Sequence, residues 1–147
     1  MTEQTEENPF LTQFHLTPKD IRSYSPLTLA YIGDAAYEIV IRTLVVCHGN
    51  MPVNKLHHQT TQYVKAEKQS EMIKWLEPLF TEEEEQIYKR GRNAKSFTKA
   101  KNASTIDYRR ATGFEAVMGY LYLQGNYARM LELIDAGLQG EREGTGL

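Results

Sequence analysis

Cysteine is almost absent from this chain. Cys47 is the only one in 147 residues, so no internal disulfide can form and no cysteine cage for a structural metal can be assembled. A reducing compartment is the natural setting for such a chain, and the cytoplasm is the expected location. No apolar run approaches the roughly 18 residues a membrane helix needs, and the acidic start (Glu3, Glu6, Glu7) lacks the basic region and apolar stretch of a secretory signal. No membrane partner is expected. Internal repeats and Pro/Gly-rich linkers are missing too, which leaves one domain of about residues 21–139 between a flexible tail at 1–20 and a frayed end at 140–147. There is no Walker loop, dinucleotide fingerprint, nucleophile elbow or paired CxxC motif. His15 and His48 are isolated, and His57-His58 has no acid at ligand spacing, so a histidine metal site is excluded.

What is present is helical periodicity, and the expected fold class is all-α. Ser25-Pro26 supplies an N-cap and a first helical residue, and Gly49 a stop, which brackets a long helix from Pro26 to His48. Its residues are apolar nearly all round, so burial on most sides is expected. Residues 53–77 read as two helices or one bent helix ended by Pro78. Thr81 and Glu84 form a capping-box pattern opening a helix to about Arg92, which makes the acidic run Glu82 to Glu84 a solvated first turn favoured by the helix dipole. Residues 95–104 read as a loop, 105–124 as a second long apolar helix, and 127–139 as a final amphipathic one.

Charge is scarce where it is most informative. Between Pro26 and His48 the only charged residues are Asp34, Glu38 and Arg42, four apart and so on one stripe. From Ala111 to Ala128 Glu115 stands alone until Arg129, in Phe114-Glu115-Ala116. A carboxylate in such surroundings needs a partner, and Asp34 or Arg42 across the helix packing is the expected one. Gly33, Gly113 and Gly119 lie beside these acids. Each costs about 1 kcal/mol inside a helix relative to alanine, which points to a close helix crossing. From spacing alone two readings stand: a buried ion-pair network that only fixes packing, the commoner case, and a site where a hard divalent cation relieves the repulsion of paired carboxylates.

The net charge of −2 excludes a generally cationic coat, but the charge is segregated. Lys89, Arg90, Arg92, Lys95, Lys99 and Lys101 fall within fourteen residues that contain no acid, with Asn93, Ser96 and Thr98 as neutral donors among them. Lysine-rich loops are usually solvated surface, yet this density favours phosphate contact.

At these residues the sequence resembles a known family. Leu29-Ala30-Tyr31-Ile32-Gly33-Asp34-Ala35-Ala36-Tyr37-Glu38 is similar to the signature helix of the ribonuclease III catalytic domain, and Thr112-Gly113-Phe114-Glu115-Ala116-Val117-Met118-Gly119 to its second catalytic helix. Lys89-Arg90-Gly91-Arg92-Asn93-Ala94-Lys95-Ser96, followed by Tyr108-Arg109, resembles the Mini-ribonuclease III branch, which lacks the double-stranded RNA-binding domain. The resemblance implies a homodimeric, metal-dependent endoribonuclease acting on double-stranded RNA. Its catalytic and metal-binding residues would be Asp34 and Glu115, with Glu38 as a further metal ligand, magnesium as cofactor and manganese as a substitute. Arg90, Arg92, Asn93, Lys95, Ser96, Lys99 and Lys101 would contact RNA. For this branch it implies maturation of the large-subunit (23S) ribosomal RNA precursor at both ends, with a ribosomal protein on the substrate as a further partner.

Three positions depart from the longer members: Ala30 and Thr112 stand where those carry acids, and so does Leu27 earlier in the signature. The competing expectation is therefore a catalytically silent module that binds RNA or a ribosomal particle.

Overall fold

The computed structural model describes residues 7–17, 20–95 and 104–141, and among these residues there is no strand. The helices are α1 (Pro9–Gln13), α2 (Pro26–His48), α3 (Val53–Val64), α4 (Ala66–Leu76), α5 (Glu82–Asn93), α6 (Thr105–Leu123) and α7 (Tyr127–Glu141), with short 3-10 turns at Ile21–Ser23 and Glu77–Leu79.

The ends of α2 follow local chemistry. The Ser25 side chain accepts from the Thr28 amide, Pro26 fills the first turn, and the chain leaves the helix at Gly49. At α5 both bonds of the capping box form: the Glu84 amide donates to Thr81 Oγ1 at 3.1 Å, and the Thr81 amide donates to Glu84 Oε1 at 2.9 Å. Residues 53–77 resolve into two helices, broken at Lys65 by an extended backbone (φ −71°, ψ 154°) with no proline or glycine to mark it.

Helix α6 is the hub, packed against α2, α4, α5 and α7. Every residue from Ala111 to Leu121 is buried except Glu115, which is partly exposed. The α2–α6 crossing is set by glycine: a Cβ on Gly33 would lie 1.7 Å from the Glu115 carbonyl oxygen, and one on Gly119 would lie 1.9 Å from the carbonyl oxygen of Leu29. Only hydrogen at these two positions lets the backbones touch. Beside the crossing, Tyr37 meets Phe114 edge-on at 5.0 Å between ring centroids, and its hydroxyl donates to the Tyr63 carbonyl at 2.7 Å.

Two expectations need correction. First, α2 is not enclosed on most sides: Tyr31 is 81% exposed, and Leu27, Ile39 and Val46 also face outward on the same stripe. The helix buries only the Leu29, Gly33, Ala36, Tyr37, Ile41, Val45 side. Second, Glu84 is not solvated. It is 4% exposed, and Arg129 clamps it with Nε to Oε2 at 2.9 Å and Nη2 to Oε1 at 2.8 Å, while the same Nη2 donates to the Leu79 carbonyl. Part of the stretch before residue 21 packs on the helices. Asn8 is buried, caps α1 through the Phe10 amide, and donates to the Tyr122 carbonyl at 2.9 Å. Helix α7 runs to Glu141, and Gly140 lies against the Trp75 ring.

Candidate active site

Because Gly33 lets α2 lie on the backbone of Glu115, the next residue, Asp34, is delivered to the Glu115 carboxyl group, and the two side chains are hydrogen-bonded to each other. Two carboxylates can share a hydrogen bond only if one holds a proton. Glu115 holds it: burial, the bond to Asp34 and the Asp34 charge push its carboxyl up to about 9, opposed only by the Gln69 amide. Asp34 is exposed and Glu115 half-buried, so the pair spans the boundary between solvent and core.

The pair sits in an open cleft of about 410 Å³, walled by Ala30, Tyr31, Tyr108 and Thr112 among others. Glu115, Tyr108 and Thr112 also line a second trough of about 480 Å³, which runs toward Lys65 and Gln69 at the α3–α4 break. The two hollows adjoin through the shared residues Tyr108, Thr112 and Glu115. All three departures from the longer members' pattern line the cleft: Leu27 and Ala30 contribute apolar groups, and the Thr112 hydroxyl is bonded to the Tyr108 carbonyl at 3.0 Å.

Asp34 and Glu115 are thus brought together, whereas Glu38 is occupied elsewhere. Its Oε2 pairs with Arg42 Nη2 at 2.6 Å, and it does not line the cleft. Arg42 consequently does not serve as Glu115's counterion. Among the described residues no group of three or more His, Cys, Asp or Glu side chains converges. The donor set is two carboxylates that repel unless protonated or bridged by a cation. That fits a hard divalent ion such as magnesium, which keeps several of its own waters and needs few protein ligands.

The basic segment is divided. Arg90 is exposed, and its guanidinium donates to the carbonyls of Arg22 at 3.0 Å and Tyr24 at 3.3 Å, which ties α5 to the turn that precedes α2. Lys89 has a counterion in Glu85 at 3.7 Å. Arg92 lies over the Tyr88 ring at 5.7 Å and bonds Asn93 Oδ1 at 3.2 Å. Lys95 is exposed. Ser96, Lys99 and Lys101 lie outside the described residues.

Sequence reasoning missed Gln69, which is buried beside Glu115. An uncharged polar residue on an amphipathic helix carries no signal of its own, and only the fold shows what it touches.

A helical domain whose two central helices cross on glycine and oppose two carboxylates in an open groove is a carboxylate-centred domain suited to hold a hard cation. Residues 27–126 match the family model described as Ribonuclease III domain. The chain belongs to the ribonuclease III family, a family of endoribonucleases. It is 48% identical to the Mini-ribonuclease 3 of Thermoanaerobacter sp. (strain X514) over 84% of this chain and 87% of the relative. To that of Clostridium tetani (strain Massachusetts / E88) it is 52% identical, over 80% and 79% respectively. The crystal structure of protein FN1578 from Fusobacterium nucleatum superposes with a TM-score of 0.75 at 33% identity, covering 85% of this chain and all of that one.

Proposed function

We propose that this protein is a magnesium-dependent endoribonuclease that cleaves double-stranded RNA as a homodimer in the cytoplasm, and that its substrate is the precursor of large-subunit (23S) ribosomal RNA. The observation that carries this reading is the Asp34–Glu115 pair, held in contact in the cleft by the Gly33 crossing. Asp34 and Glu115 would hold the cation, with Glu38 kept outside by Arg42. Magnesium, when bound, supplies an activated water and stabilises the oxygen that leaves phosphorus. The protein's share is to fix the two carboxylates and to leave the groove open to a phosphodiester. With Ala30 and Thr112 uncharged, water and RNA phosphate would have to complete the coordination.

The exposed stripe of Leu27, Tyr31, Ile39 and Val46 supports the homodimer, since large apolar side chains in a row along one helix suit a second copy of the same helix. Tyr31 also lines the cleft, so a partner on this face would border the site. Of the basic segment, Lys95 is the described residue free to meet phosphate. Arg90, though exposed, also has intramolecular partners, as do Lys89 and Arg92.

The uncharged Ala30 and Thr112 favour one competing reading, a silent RNA-binding module. Incubating the protein with an RNA duplex, with and without magnesium, separates the two. Magnesium-dependent cutting supports the enzyme, and binding without cutting supports the module.

A further inference from the structure

The trough beyond Glu115 is closed by Gln69, a side chain only 1% exposed. Its Nε2 donates to the Val64 carbonyl, at the end of α3, at 3.0 Å, and makes a longer contact of 3.5 Å to Glu115 Oε2. Its Oε1 is buried and has no hydrogen-bond partner among the described residues. Exchanging the amide nitrogen and oxygen would set Oε1 against a carbonyl and a carboxylate, both acceptors, so the neighbours dictate this orientation.

An amide buried with one end unbonded costs stability, whereas leucine or methionine would fill a similar space without that cost. What only the amide supplies is a donor for Val64 and for Glu115. The Val64 carbonyl anchors the amide at the α3–α4 break, and the remaining reach of Nε2 is to the carboxylate. Gln69 lines the trough on the α4 side of Glu115, while Asp34 lines the cleft on the other, so Glu115 is held from both directions.

We propose that Gln69 is a positioning residue for the cation site: its Nε2 fixes the Glu115 carboxyl in the orientation that meets Asp34, and stability is given up for this through the unpartnered Oε1. The inference rests on the magnesium-dependent reading above. Partners that orient a metal ligand typically contribute roughly 10- to 100-fold in metal affinity.

The test is magnesium binding by isothermal titration calorimetry, without RNA, on wild type and Gln69→Leu, with thermal unfolding of both metal-free proteins. The expected result is a Kd raised by roughly 10- to 100-fold with Tm unchanged or raised by about 2–4 °C. Gln69→Met repeats the measurement with a more pliable side chain in case leucine packs badly. Unchanged Kd in a folded variant overturns the proposal, and unfolding of both variants overturns it in favour of a purely structural amide. If wild type itself binds no magnesium, the reading on which the proposal rests fails, and that result is distinct from equal Kd values in wild type and variant.

Discussion

Magnesium binding should release a proton, and its pH dependence can be worked out from the site. Glu115 ordinarily ionises near 4.5 but is pushed up to about 9, first by burial and then by the Asp34 carboxylate bonded to it. In the metal-free protein the folded state therefore keeps a proton that the unfolded chain surrenders above pH 4.5. Stability from this group is fully present below that value and is lost as pH rises toward about 9. Cation binding requires the ionised pair, so the apparent affinity should climb by up to tenfold per pH unit below about 9, on the order of 100-fold between pH 6.5 and 8.5. Calorimetric titrations at steps across that range, in buffers of different ionisation enthalpy, give both the Kd and the number of protons released. The account predicts close to one proton per ion at pH 7. A flat Kd with no proton release would refute it, because Glu115 would then already be ionised in the metal-free protein.

Other outcomes follow from the same geometry. Gly33→Ala places a Cβ 1.7 Å from the Glu115 carbonyl oxygen where real contacts need at least 3.0 Å, so α2 and α6 must part; a loss of at least about 2 kcal/mol in chemical denaturation is expected, together with loss of cleavage. Arg90→Met should lower Tm by releasing the Arg22 and Tyr24 carbonyls, yet leave the salt dependence of RNA binding unchanged. Lys95→Glu should leave Tm alone and flatten the log–log salt slope by about 1 or more, as loss of a phosphate contact does. Tyr31→Glu combined with Ile39→Glu should convert a dimer to a monomer in light scattering, since both side chains are exposed on the isolated chain.

Local signals in the sequence read out the elements well where the determinants are themselves local. Ser25-Pro26 and Gly49 bracket α2, and the Thr81–Glu84 box opens α5, because a cap involves residues three or four apart. Of the glycines beside the two acids, Gly33 and Gly119 mark the α2–α6 crossing that delivers the carboxylate pair, whereas Gly113 makes room for Tyr88 of α5. The break at Lys65 has no mark in the sequence, because no residue there forbids a helix. Burial of Glu84 depends on Arg129, forty-five residues away. Packing of Asn8 depends on the Tyr122 carbonyl, and the role of Gln69 depends on Glu115. Such partners are chosen by the assembled fold. The outward face of α2 is the reverse case, in which apolar residues that read as core are left uncovered by the other described residues.

On the proposed function, Asp34 and Glu115 together carry a magnesium-dependent cut in duplex RNA. The measurement that tests it most directly compares cleavage of one end-labelled RNA duplex by wild type, Asp34→Asn and Glu115→Gln at saturating magnesium, with duplex binding recorded in parallel. The account predicts cutting by wild type only, while all three proteins bind the duplex with similar affinity. Cutting at the wild-type rate by either variant would contradict it.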